Sequence, residues 1–207
     1  MPKAARARTH EARPDPLAKP AKAAANQGHS QSPAPSSMNY VLRVQLRAGT
    51  QSVTRTLSVP ESFTFYQLSR VLMVAFDWSG YHLSQFELSK PEELYLLESV
   101  ERWEEEPYVK WMKDFTLRDI FDNAEYAGNE KIIWEYDLGV SWEHEIRLER
   151  REVRRLGEPG SASRAPVVCL SGRGRPMPEE DGDRRGVWDI DMVNERLREM
   201  FSEEDIP

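Results

Sequence analysis

From Ile132 to Leu148 the sequence alternates apolar and charged residues in two runs broken at Gly139. Trp134, Tyr136 and Leu138 interleave with Glu135 and Asp137; Trp142, His144, Ile146 and Leu148 interleave with Glu143, Glu145 and Arg147. Successive side chains of a strand point to opposite faces, so this period of two predicts two half-buried antiparallel strands. Gly139, which tolerates positive φ, and Ser141 predict the turn between them. The buried row then holds two tryptophans, a tyrosine and a histidine, and each carries a polar atom that burial obliges to find a partner. A hairpin of this kind needs a wider sheet around it and a layer over its apolar face.

The rest of the chain supplies both. Tyr40, Leu42, Val44 and Leu46 alternate with Val41, Arg43, Gln45 and Arg47, a turn is expected at 48–51, and Val53, Arg55, Leu57 and Val59 share one face of a second strand that Pro60 stops. Ser62 or Thr64 can cap a helix whose Phe65, Leu68, Val71, Leu72, Ala75 and Phe76 recur at three- and four-residue spacings. Residues 82–89 alternate again, with His82, Ser84, Phe86 and Leu88 on one side. Residues 91–114 are rich in acids and predict an acidic insertion with partial structure. Thr116 and Asp119 suggest a short capped helix, and the basic run 150–155 is placed at or past the end of the hairpin. Residues 156–186 predict flexible loops around the short apolar run 166–170. Trp188, Ile190, Met192, Val193, Leu197, Met200 and Phe201 predict a final amphipathic helix. The sum is an α+β domain over 38–203, an antiparallel sheet of about five strands packed by two main helices.

Charge divides the chain. Residues 1–37 hold six cations, Lys3, Arg6, Arg8, Arg13, Lys19 and Lys22, against Glu11 and Asp15, and have almost no large apolar side chain. Such a segment cannot offset its ordering entropy, so a disordered basic tail is expected. With the whole chain at −7 and the tail at about +4, the remainder carries about −11. An acidic body argues against gripping a phosphate backbone, so nucleic acid is an unlikely partner for the folded part. The single cysteine, Cys169, excludes an internal disulfide and a four-cysteine zinc site, and suits a reducing compartment. No apolar run reaches membrane-spanning length. A cytoplasmic location is expected, with nuclear or mitochondrial sites left open. Phosphate-cradling glycine loops, dinucleotide fingerprints and nucleophile elbows are all absent from the sequence.

Four stretches resemble the plasmid pRiA4b ORF-3-like family: Tyr40–Leu46 with Val59-Pro60, Phe76–Phe86, Tyr136–Ile146, and Cys169–Gly172 with Pro178–Gly182. The resemblance implies a compact α+β domain with an antiparallel sheet, found in plasmids and as a passenger of transposons, without a well-established activity. The chain departs from the family in carrying Ser84 where members have a second histidine, Pro176 and Asp181 where they have cysteines, and Glu179-Glu180 where they have a Glu-Asp pair.

Several residues could carry chemistry. His82, His144 and Glu179 or Glu180 would suit a divalent metal with open positions and hence metal-assisted hydrolysis, provided they converge within about 2 Å of one ion. The alternative is that each histidine bonds a backbone carbonyl or carboxylate of the sheet, and the departures from the family favour it. Asp137 and Glu143 could act as acid and base around the turn, with Trp142 beside them, or bond the turn's amides. Cys169 could be a nucleophile with His144 as base, or a buried thiol. The expected function is a non-enzymatic module, without a cofactor, whose face near the hairpin turn and the last loop meets a protein or small ligand. The alternatives are the metal-assisted hydrolase and a nucleic-acid-associated protein linked to mobile elements, the latter resting on the family and the basic tail.

Overall fold

A computed structural model describes residues 38–98, 107–129, 131–154, 165–179 and 186–201. The basic tail 1–37, Glu180, Asp181 and most of the loop 156–165 lie outside the described residues.

Eight strands form one sheet: β1 Met38–Ala48, β2 Gln51–Pro60, β3 Ser84–Leu88, β4 Leu94–Leu97, β5 Val109–Trp111, β6 Ile132–Tyr136, β7 Trp142–Val153 and β8 Val168–Arg173. Their spatial order is β5-β4-β3-β6-β7-β1-β2-β8. The α+β class holds, but the sheet is larger than five strands and mixed, because β4 and β5 run parallel. The additional strands are β4 and β5, both from the acid-rich stretch 91–114, and β8, from the apolar run before the last loop. β4 and β5 are four and three residues long, too short for alternation to stand out, and β8, Val168–Arg173, does not alternate: its burial follows no period of two. The basic run near residue 150 is also part of the sheet, since β7 continues to Val153 past a bulge opposite Val41 and Leu42.

The two hairpins form as their patterns dictate. In the first, Ala48 pairs with Gln51 and Gly49 takes φ 58°, a conformation that costs glycine little. In the second, Trp134 faces His144 and Tyr136 faces Trp142. The turn differs in detail from expectation: the left-handed residues are Asp137 (φ 56°) and Ser141 (φ 63°), not Gly139. Asp137 suits that role because its Oδ1 accepts the Gly139 amide at 3.1 Å.

Helix α1, Phe65–Phe76, covers the apolar face. It starts in a capping box, with Thr64 Oγ1 accepting the Gln67 amide and Gln67 Oε1 accepting the Thr64 amide. It ends at Asp77 in the left-handed conformation (φ 63°). Phe65 packs edge-on against Phe86 of β3 and Phe76 against His144 of β7, so the helix spans the middle of the sheet. Helix α2, Leu117–Phe121, repeats the capping box with Thr116 and Asp119 and buries Leu117 and Ile120. Helix α3 runs Ile190–Met200, capped by Asp189, and buries only Val193 and Leu197. Trp188 precedes it, and Met192 and Met200 are exposed, so the final amphipathic face is narrower than the apolar pattern implied.

Arg55 lies on the buried face of β2 and is wholly enclosed. Its guanidinium donates to the carbonyls of Ala75 (2.9 Å), Thr54 (2.8 Å) and Arg173 (2.7 Å), and lies 4.0 Å from the Trp188 ring. Burial lowers its pKa to about 10, which still leaves it charged at neutral pH. The last carbonyls of a helix carry partial negative charge, so Ala75 at the end of α1 is a suitable acceptor. One cation thereby ties β2, α1, β8 and Trp188 together.

Candidate functional site

The aromatic row of the second hairpin meets the segment that follows α1. Trp78 stacks on Tyr136 at 4.5 Å and lies within 6.0 Å of Trp134 and Trp142. Its indole donates to the Met177 carbonyl at 3.3 Å, which draws the last loop over the cluster. Glu179 of that loop is buried and accepts the Ser79 amide at 2.9 Å and the Tyr136 hydroxyl. The Tyr136 oxygen in turn accepts the amides of Gly80 (3.1 Å) and His82 (3.4 Å). Burial, then the carboxylate beside it, push the Tyr136 hydroxyl far above the ordinary phenol range, so it remains a donor. Sheet, post-helix segment and last loop are locked together at this knot.

His144 is fully buried among Phe76, Trp78 and Trp134. Its Nδ1 faces the carbonyls of Trp142 (2.9 Å) and Trp134 (3.1 Å), so this nitrogen carries the proton. Burial lowers the ring's pKa to about 3, partly opposed by those two carbonyls, and the imidazole is neutral. Among the described residues Nε2 has no hydrogen-bond partner, nor do Ser84 Oγ and the indole nitrogens of Trp134 and Trp142.

His82 sits in the segment before β3, half-buried, with Nδ1 3.7 Å from Asp137 Oδ2 and its ring edge-on to Tyr136. His144 shares a sheet row with Trp134 and Phe86, two strands and four residues from His82. Among the described residues no group of three His, Cys, Asp or Glu side chains could hold a metal ion. His82, through its amide, and Glu179 meet at the Tyr136 hydroxyl, His144 lies among the rings deeper in the sheet, and Glu180 lies outside the described residues. Asp137 serves the turn and His82, whereas Glu143 is exposed opposite Glu135. Trp142, half-buried, borders the aromatic cluster. Cys169 is buried on β8 and burial raises its pKa to about 11. Three strand spacings, on the order of 14 Å, separate β8 from β7, so His144 is not its base.

The sequence did not single out the outermost residues of this end. Asp137 donates its amide to the Leu83 carbonyl at 3.0 Å, placing the turn beside the segment 80–83. On these two adjoining segments Tyr81 (86% exposed), Leu83 (63%), Leu138 (44%) and Val140 (58%) face solvent. A signal was present: Leu138-Gly139-Val140 places apolar residues inside a turn, where polar ones are usual.

A search of curated proteins returns no match. Among solved structures, a protein of unknown function, MM3350, from Methanosarcina mazei Go1 is similar, with 26% identity, 82% of this chain and 85% of that chain covered, and a TM-score of 0.57. No helix among the described residues is long and apolar enough to cross a membrane. The plasmid pRiA4b ORF-3-like protein family model matches residues 38–203, the span that contains both hairpins, the Tyr136–Glu179 knot and all three helices, and the chain belongs to that family.

Proposed function

We propose that the domain is a binding module whose docking face is the tip of the second hairpin together with the segment 80–83. The carrying observation is the exposure of Tyr81, Leu83, Leu138 and Val140 on two segments joined by a backbone hydrogen bond. Lone surface hydrophobics need no explanation, but four on adjoining loops mark an interaction site. The loops are held in advance by the Tyr136–Glu179 knot and the stacked Trp78, which lowers the ordering cost of association. Left-handed Asp137 and Ser141 add backbone conformations that surrounding contacts must maintain, a common property of binding loops. The partner is a protein segment able to cover these side chains.

A photo-crosslinking residue placed at position 81 or 140 tests this. In extract from cells expressing the full chain, these positions should give a discrete adduct. A crosslinker at Tyr66, exposed on α1, should not. Equal labelling from all three positions would remove the docking face.

A further inference from the structure

We infer that the segment docking on this tip carries lysine or arginine beside its apolar side chains, an inference that rests on the docking reading above. The apolar part of the tip is bordered by acids. Register places Glu135 of β6 directly opposite Glu143 of β7, and Asp137 follows at the entry to the turn. Like charges directly opposite on paired strands repel, and an opposite charge at either position would attract instead. Glu135 is held by two neutral donors, Gln85 Nε2 and Ser141 Oγ, each at 2.6 Å, which orient the carboxylate without cancelling its charge. Glu143 is exposed. A cation supplied by a partner relieves this repulsion while its apolar neighbours cover Tyr81, Leu83, Leu138 and Val140.

The charge of the whole chain points the same way. Residues 38–207 carry about −11, and a field of that sign raises the encounter rate of cationic partners. A second copy of the domain would bring the same acids to the contact. The chain's own tail has the right charge, but Met1 and Leu17 are its only large apolar residues, too few to cover the four exposed side chains. The occupant that satisfies both halves of the surface is another protein's basic and apolar segment.

Three short peptides of equal length, in which leucine alternates with lysine, serine or glutamate, test this by titration into the ¹⁵N-labelled full chain. The Leu/Lys peptide should shift the amides of Leu83, Leu138, Val140 and Glu143. Its affinity should fall about fivefold or more between about 50 and 300 mM salt, because the attraction is screened. A comparable loss is expected in the E135Q/E143Q variant, which keeps the strand pairing and removes the repulsion. The L138S/V140S variant should lose the tip shifts. If the Leu/Ser or Leu/Glu peptide binds the tip as tightly as Leu/Lys, the docking face stands and the charge class is overturned. If no peptide shifts the tip amides, or Leu/Lys shifts only acids elsewhere, both readings fail. Concentration-dependent shifts of the tip without peptide would assign it to a second copy and overturn the partner class.

Discussion

The Tyr136 hydroxyl joins three segments at this end of the sheet. It donates to Glu179 and accepts two amides of the segment after α1. Replacing it by phenylalanine leaves the buried Glu179 carboxylate with the Ser79 amide but without its hydroxyl donor. The expected cost of Tyr136→Phe is about 1.5–3 kcal/mol, the range for a hydrogen bond to a charged group, read as a shift in the denaturant midpoint. His144 gives a prediction in pH. Its folded pKa of about 3 lies below the ordinary histidine value, so on acidification the unfolded chain takes a proton that the folded chain refuses. The associated stability is present above the unfolded pKa of about 6.5 and is lost progressively as pH falls towards the folded value. Between pH 7 and pH 5 the loss should be about 2 kcal/mol, largely absent in a His144→Gln variant, as followed by chemical denaturation at each pH. The burial of Tyr136 and His144 was legible from alternation alone. The carbonyl partners of His144 fall within the reading of a histidine bonded to the sheet's own backbone, but the partner of Tyr136 was not legible, because Glu179 lies 43 residues away and no local pattern joins them.

At the scale of elements, legibility followed length and locality. Both hairpins and α1 announced themselves through long patterns and a capping box. Strands β4 and β5 were missed because each is short and set among acids, and β8 because Val168–Arg173 lacks alternation and runs into glycines and prolines that read as loop. The acidic stretch 91–114 thus became an insertion when part of it extends the sheet. The final helix was expected from Trp188 to Phe201 and runs Ile190–Met200, because Phe201 is the cap residue and Trp188 is apolar for another reason, covering Arg55. That placement depends on Gly172, where an added Cβ would lie 2.4 Å from the Trp188 ring. Gly172→Ala should displace the ring and destabilise the fold by about 1–3 kcal/mol, the usual cost of overpacking, visible in tryptophan fluorescence and in the thermal midpoint. Thr64→Ala, which opens the capping box of α1, should cost about 1 kcal/mol without moving any ring.

Across the whole molecule the two ends of the sheet's buried face do different work. Around Arg55 a single cation binds three elements and a ring through backbone carbonyls. Removing it by Arg55→Ala takes the guanidinium donors from the Ala75, Thr54 and Arg173 carbonyls, leaving Ala75 the Trp188 indole N–H, and should cost about 3 kcal/mol or more, the range for breaking a buried charged network. Around Tyr136 an equally rigid knot holds two loops whose outer side chains contribute little to the fold and remain exposed. The sequence marked the second hairpin as the centre of a site through its histidine and acids. The docking face proposed above lies further out, at apolar residues such as Leu138, which alternation had assigned to the strand, because exposure is a property of the assembled sheet and not of local spacing. The central claim is that Leu138 and Val140 serve binding and not stability. It is tested most directly by measuring, for the L138D/V140D variant of the full chain, the thermal midpoint together with the adduct yield from a crosslinker at position 81. The expected midpoint lies within about 3 °C of that of the unsubstituted protein, equivalent to roughly 1 kcal/mol for a domain of this size, with the adduct abolished. A midpoint lowered by 10 °C or so with the adduct retained would contradict it, since that is the behaviour of core residues and not of a docking face.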